Sequence, residues 1–282
     1  MQTNWLDPLL SDDNIDYSRN GAHGNKVFLV LHDFGTYRIK YFEGVGTGVQ
    51  PSKDTLTEVD FIKLVGEGLT SDKMLLTQYK KDLVIEFEGI PDVKIVLSKF
   101  NLEDLDNLTK DTQGALNLSN VLFDGENYFQ DSFDVINADS NPAYVFRPNA
   151  VTFLNYLDNN TSGYDNSNDI INGQEGNDTL LGLSGDDLLR GGNGDDILTG
   201  GDGKDQFWLA SNSLPEGVDT ITDFQLGVDS LGIAGIAEAT KFEDLSIIQN
   251  GNDTNITVGD VNLAVLTGIQ ASSLDSSSFV FI

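Results

Sequence analysis

From Tyr164 to Trp208 the chain repeats every nine residues, and that period admits few folds. Written in rows, the segment reads YDNSNDIIN, GQEGNDTLL, GLSGDDLLR, GGNGDDILT and GGDGKDQFW. The sixth position is aspartate in every row: Asp169, Asp178, Asp187, Asp196 and Asp205. The eighth is bulky and apolar: Ile171, Leu180, Leu189, Leu198 and Phe207. After the first row, glycine holds the first position (Gly173, Gly182, Gly191, Gly200) and the fourth (Gly176, Gly185, Gly194, Gly203), with Gly192 and Gly201 at the second. Nine residues is no whole number of helical turns, so a helix would spread the apolar positions around its surface. A six-residue turn followed by a three-residue strand fits instead. Glycine supplies the turn, and the eighth residue points inward while its two neighbours point out. Two rows then make one coil of two strands, and the coils stack in parallel.

Stacking sets each turn over the turn two rows on. Asp169 meets Asp187, Asp178 meets Asp196, and Asp187 meets Asp205. Paired carboxylates repel unless a cation lies between them. Carboxylates together with glycine-exposed carbonyls form an all-oxygen donor set, and its loose geometry favours Ca²⁺ over Mg²⁺. Five rows predict three sandwiched ions, with further sites at the ends of the stack. Local charge agrees: residues 164–208 hold ten acidic and two basic side chains, and ten of the chain's 29 glycines. A phosphate loop needs Gly-Lys-Ser/Thr, which Gly203-Lys204-Asp205 does not supply. No window has both the glycine and the glutamate of an EF-hand. A disordered acidic linker would not keep an apolar residue at every ninth position.

These rows resemble the RTX (hemolysin-type calcium-binding) repeats, whose consensus is GGxGxDxUx. GGNGDDILT and GGDGKDQFW match it fully. GQEGNDTLL and GLSGDDLLR lack the second glycine, and YDNSNDIIN keeps only Asp169 and Ile171. The resemblance implies that the five sixth-position aspartates ligate Ca²⁺. Downstream, Asp219-Thr-Ile221-Thr-Asp223-Phe224 is similar to the segment that follows the roll in this family, which implies that Asp219 and Asp223 complete the last sites. The family resemblance also implies export by type I secretion in a Gram-negative-type bacterium, with the C-terminal segment carrying the signal. The ending SSLDSSSFVFI keeps the apolar tail but has Ser278 where the family often places an acid. The N-terminal MQTNWLDPLLSDDNIDYSRN has no secretory leader, which is the expectation for this route.

Upstream lies an echo. MLLTQYKKDLVIEF (74–87) aligns without gaps to LSIIQNGNDTNITV (245–258), at an offset of 171, and a second strand follows each, DVKIVL and DVNLAVL. Both read as strand, tight turn, strand and return strand. Within KVFLVLHDFGTYRIKYFEG, the alternating runs around HDFGT read as a hairpin. The expected fold is all-β: a short parallel β-roll flanked by antiparallel β-modules, the C-terminal one capping the roll. The expected divisions are a hairpin region at 1–58, a β-module at 59–125 echoing the cap, an irregular linker at 126–163, the roll at 164–208, and a cap with the secretion signal at 209–282. Short helical turns are expected near Leu102–Leu108 and Pro215.

No catalytic motif is found. HExxH and G-x-S-x-G are both absent, and the two histidines, His23 and His32, read as hairpin residues in preference to a His32-Asp33 dyad. Forty-five acidic residues single out no carboxylate pair. A formal charge of −29 disfavours nucleic acid and anionic membranes, and no apolar run is long enough to span a bilayer. With no cysteine there are no disulfides, and bound metal is the remaining staple. The expectation is an extracellular or cell-surface calcium-binding protein, not an enzyme, that folds on Ca²⁺ and meets a surface glycan or a second copy of itself. The alternative is a secreted hydrolase or lyase acting on polysaccharides through residues 1–163. Outward-facing Ile170, Leu188 and Ile197 suggest that part of the roll's face is covered.

Overall fold

The alternating segments near the N-terminus form strands that do not pair with each other. The computed structural model describes residues 14–16, 26–32, 35–44, 59–105, 120–126, 132–136 and 138–282. Its first strands are β1 (Asn14–Asp16), β2 (Val27–Leu31), β3 (Gly35–Lys40), β4 (Phe61–Val65), β5 (Met74–Tyr79), β6 (Asp82–Phe87), β7 (Ile90–Ser98) and β8 (Val121–Leu122). β2 lies parallel to β4 in a three-stranded sheet, whereas β3 lies parallel to β1 and β7 in a five-stranded one. The hairpin expected across Val27–Tyr41 is therefore a corner between two sheets. A short turn serves either purpose, and both strands hide their alternate residues (Phe28 and Val30, Tyr37 and Ile39) in one shared core. The Tyr37 hydroxyl ties the corner, accepting from the Leu31 N–H at 2.9 Å and donating to the Leu31 carbonyl at 3.1 Å.

β5, β6 and β7 form the expected antiparallel meander. A short 3-10 turn covers Leu102–Asp104. The next strands, β9 (Asp134–Val135), β10 (Val151–Phe153) and β11 (Asn160–Ser162), lie where an irregular linker was expected, and they extend the parallel stack. β10 pairs with β9, and residues 144 and 162 form a further bridge. Val145 and Leu154 are buried in the interior that the repeats also fill, whereas Phe133 and Phe153 join the core of the N-terminal strands. Row lengths vary here, so no nine-residue period betrays them.

The repeat itself gives β12 (Ile170–Glu175), β13 (Thr179–Ser184), β14 (Leu188–Asn193), β15 (Ile197–Asp202) and β16 (Gln206–Ser211), followed by β17 (Asp219–Ile221) and β18 (Ser230–Ala234). Successive rows alternate between two parallel sheets. Ile171, Leu189 and Phe207 are in register in the first, and Leu180, Leu198 and Ile221 in the second. All six are fully buried, and each such side chain contributes about 1.5–3 kcal/mol. The strands β12–β16 span six of the nine positions, and the β12–β14 and β13–β15 ladders pair five of them, so the hydrogen bonding continues into the turns beyond the three-residue strand.

β19 (Leu245–Asn250), β20 (Asp253–Val258) and β21 (Val261–Leu266) form a second meander, joined to the second roll sheet by parallel β17–β21 pairing. β22 (Phe279–Phe281) closes the edge of the first roll sheet against β18. The two meanders share a hydrogen-bond skeleton. Gln78 Nε2 donates to the Asp82 carbonyl and Gln249 Nε2 to the Asp253 carbonyl; Gln78 Oε1 accepts from Leu102 N–H and Gln249 Oε1 from Ala271 N–H.

The first meander docks on the outer face of the first roll sheet. Its Glu88, at the β6–β7 turn, receives Arg190 Nη2 at 2.7 Å and the Ser211 hydroxyl at 2.7 Å. Arg190 also donates to Asn172 Oδ1 at 2.9 Å and lies 5.5 Å from the Trp208 ring. The covered face carries ninth-position residues (Asn172, Arg190, Trp208), all buried. The seventh-position residues singled out in the sequence are open to different degrees: Ile170 and Leu188 are half-buried, and Ile197 on the other sheet is exposed.

Candidate metal centre

The sixth-position aspartates stand in two files along the edges of the roll, every one buried. Each donates its own N–H to the carboxylate of the coil that follows. Asp169 N–H reaches Asp187 Oδ1 at 2.7 Å, Asp178 reaches Asp196 Oδ1 at 2.7 Å, and Asp187 reaches Asp205 Oδ1 at 2.9 Å. The three pairs expected from the 18-residue spacing are therefore brought together.

The second carboxylate oxygens are different. Oδ2 of Asp178, Asp187, Asp196 and Asp205 is buried with no hydrogen-bond partner. A buried, partnerless carboxylate oxygen is costly. Each faces the first glycine of its own row: a side chain on Gly173, Gly182, Gly191 or Gly200 would run into Oδ2 of Asp178, Asp187, Asp196 or Asp205. At Gly173 and Gly182 the same side chain would also meet the carbonyl oxygens of Gly191 and Gly200, two rows on. First-position glycine thus keeps a small cradle of carboxylate and carbonyl oxygen open. Fourth-position glycine has another task. Gly194 has φ of 133°, and a side chain there would strike the Gly176 carbonyl, so only glycine lets the turns approach. At the second position Gly192 and Gly201 also have positive φ, as do Gln174 and Leu183 in their rows.

Burial raises the carboxyl pKa values above the ordinary 3.8: Asp178 up to about 8, Asp187 up to about 7, and Asp205 up to about 6. Asp196 and Asp219 are raised as well, again chiefly by burial, with each other's carboxyl close by. Such groups hold a proton unless a positive ion replaces it. The donor set is oxygen only, and no group of three or more His, Cys, Asp or Glu side chains able to hold a metal occurs among the described residues. What the turns offer is carboxylate in pairs with backbone carbonyls, which suits a hard, flexible-coordination cation.

At the ends of the files the chemistry changes. Asp169 Oδ2 accepts from Tyr164 N–H at 2.8 Å and its Oδ1 from the Ser167 hydroxyl at 2.7 Å, where the first row has lost its glycines. Asp219 continues the file of Asp196, because Thr220 is in register with Ile197. Asp223 does not occupy the next sixth position: its two oxygens accept from Gly200 N–H at 3.0 Å and Gly201 N–H at 2.8 Å. The residue in register with Asp205 is Asp229, which accepts from Asp205 N–H at 3.0 Å and from Gln225 N–H at 2.8 Å. Counting by eighteen misses it because the intervening turns are longer. Its signal was the Asp-x-apolar triplet Asp229-Ser-Leu231, the counterpart of Asp219-Thr-Ile221. The fifth position was missed too: Asn168, Asn177, Asp186 and Asp195 form an exposed ladder, each accepting an N–H from the following coil. His32 lies at the end of β2, its N–H bound to the Val65 carbonyl, while His23 and Asp33 fall outside the described residues.

The family model for the RTX calcium-binding nonapeptide repeat (4 copies) matches residues 165–189 and 181–211. Among solved structures, the chain is similar to the extracellular lipase LipA from Serratia marcescens, with 15% identity and a TM-score of 0.42, covering 97% of this chain and 39% of the lipase. It thus spans well under half of that protein's length. Two subunits of the Azotobacter vinelandii mannuronan C5-epimerase are also similar. AlgE6R3 has 26% identity and a TM-score of 0.33, with 44% of this chain and 78% of that one covered. AlgE6R2 has 24% identity and a TM-score of 0.34, with 46% and 92% covered. A comparison with curated proteins finds no match.

Proposed function

We propose, on the premise that residues 165–211 are RTX calcium-binding nonapeptide repeats, that the chain works outside the cell as a calcium-folded β-roll with a surface or matrix binding role. The observation that carries this is the set of four buried, partnerless Oδ2 atoms on Asp178, Asp187, Asp196 and Asp205, each held open by glycine. In this reading they ligate Ca²⁺ together with turn carbonyls. Asp219 completes the file of Asp196, and Asp169, Asp223 and Asp229 supply charge at the ends, where backbone N–H groups already hold their oxygens.

The mechanism is linkage. At cytosolic calcium the clustered carboxylates keep the rows apart, as passage through a type I secretion channel requires. At extracellular calcium the ions bridge the turns, and binding free energy becomes folding free energy. Extracellular calcium modules work at Kd of about 10⁻⁴–10⁻³ M. Circular dichroism during a calcium titration tests the switch, and metal analysis of the folded protein should find three or more ions. Strand signal already complete in EGTA and unchanged by calcium would sink it. The role is binding and structural; polysaccharide turnover abolished by one carboxylate substitution within residues 1–163 would replace it with an enzymatic one.

A further inference from the structure

We propose that the cleft between the β5–β7 meander and the outer face of the first roll sheet binds a neutral oligosaccharide of a few sugar units. The cleft has a volume of about 680 Å³, within the range of small-ligand sites, roughly 300–1,000 Å³. Its walls come from two parts of the chain: Gln78 and Lys94 stand on the meander, and Gln174, Arg190 and Trp208 stand on rows two, three and five of the repeat.

Charge narrows the ligand. In a chain of −29, the cleft is lined by Lys80, Lys94 and Arg190 against Glu86, Glu103 and Glu175. Lys94 is paired with Glu86 at 3.0 Å, and Arg190 with Glu88 at 2.7 Å. Formal charge along the walls cancels, so neither a polyanion nor a polycation gains there, and a neutral polar molecule escapes the repulsion met elsewhere.

Hydrogen bonding narrows it further. Uncharged polar side chains on both walls, among them Asn101, Gln174, Asn193 and Ser213, carry donors and acceptors together. Such amides and hydroxyls suit a sugar's hydroxyl groups, each of which both gives and accepts a hydrogen bond. Tyr156, also on the wall, is 61% exposed. Its ring offers an apolar face with a polar tip, as a sugar's C–H surface and hydroxyls require. Half the cleft exists only when the repeat is folded, so this inference rests on the calcium-folded reading above and predicts calcium-dependent binding.

The test is calorimetric titration of the full chain, in saturating calcium and in EGTA, with cellopentaose, mannopentaose, maltopentaose and a pentameric oligouronate. Circular dichroism is recorded on the same samples. At least one neutral pentasaccharide should bind in calcium only, and Tyr156→Ala and Gln174→Ala should each weaken it about tenfold while leaving the dichroism unchanged. No binding by any neutral sugar overturns the proposal. Binding that ignores both substitutions overturns the cleft as its place, and tighter binding of the oligouronate overturns the neutral class. A dichroism signal indifferent to calcium, with sugar binding and its sensitivity to Tyr156→Ala intact, overturns the folding switch and leaves the cleft standing.

Discussion

Asp60, in the N-terminal coils, and Asp187, in the repeat, occupy the same kind of position and meet different ends. Both are buried and both precede a strand. Asp60 Oδ1 accepts from Lys26 N–H at 3.0 Å, as Asp187 Oδ1 accepts from Asp169 N–H at 2.7 Å, each from the coil before. The second oxygen divides them. Asp60 Oδ2 accepts from Glu43 N–H at 3.1 Å, whereas Asp187 Oδ2 has no partner. One backbone therefore builds the same aspartate ladder in two chemistries, closed by an amide in the first region and left with a partnerless oxygen in the second. Beside Asp187 Oδ2 the first glycine of the row, Gly182, keeps the space open toward the Gly200 carbonyl.

The sharpest way to break this comparison is chelation. In EGTA, hydrogen exchange of residues 170–211 should reach unprotected rates, while β3–β7, with their own core around Phe28, Ile39, Ile62 and Ile95, keep slow amides. Equal loss in both regions would show that the N-terminal coils borrow their stability from calcium.

The next largest effect lies at the junction. Glu88→Gln leaves Arg190 buried without its carboxylate, and the denaturation midpoint in calcium should fall by the equivalent of about 3–5 kcal/mol. Glu86→Gln, two residues earlier on β6 and paired with half-buried Lys94, should cost less than about 1 kcal/mol.

Exchanging the two aspartates for asparagine separates them directly. Asp60→Asn should cost about 1–3 kcal/mol whether or not calcium is present, since it disturbs two backbone hydrogen bonds. Asp187→Asn should raise the calcium needed for folding and change nothing in EGTA. Matching calcium dependence of the two variants would erase the distinction.

The smallest expected effect is that of pH. The folded-state carboxyls of Asp178, Asp187 and Asp205 are raised to about 8, 7 and 6. Their protonated forms therefore favour folding; that contribution is complete below about pH 3.8 and lost as pH rises through 6 to 8. In EGTA, lowering pH from 8 to 5 should recover part of the roll's strand signal. In calcium the sign reverses, because protons compete with the ion and the apparent affinity should fall.

Much of this was legible in the sequence where the period was strict. Asp178 and Asp196 stack as spacing predicts because both rows are nine residues long, and Gln78 and Gln249 repeat their bonds because their turns have equal length. Legibility failed where length varied. Asp229 follows Asp205 by a longer turn, so the count landed on Asp223. Asn159-Asn160-Thr161 and Ala150-Val151-Thr152 are rows of the roll with the aspartate and the apolar residue both exchanged, and nothing local marks them. Around His32, alternation identified two strands but not their partners, since choosing between one sheet and two depends on Phe61–Val65 and Ile90–Ser98, far along the chain.

On the calcium-folded reading proposed above, those exchanged rows set how many ions the roll holds. The files do not stop because the scaffold stops: β10 and β11 continue it, and their coils still supply Ala150 N–H to Asp169 and Asn159 N–H to Asp178. They stop because Ala150 has no carboxylate, and Asn159 brings an amide whose buried Oδ1 lacks a partner just as the aspartate oxygens do. Coil number and ionic capacity are thus written separately. A lineage could lengthen such a stack without raising its demand for calcium, or raise the demand at fixed length by a single Asn159→Asp exchange.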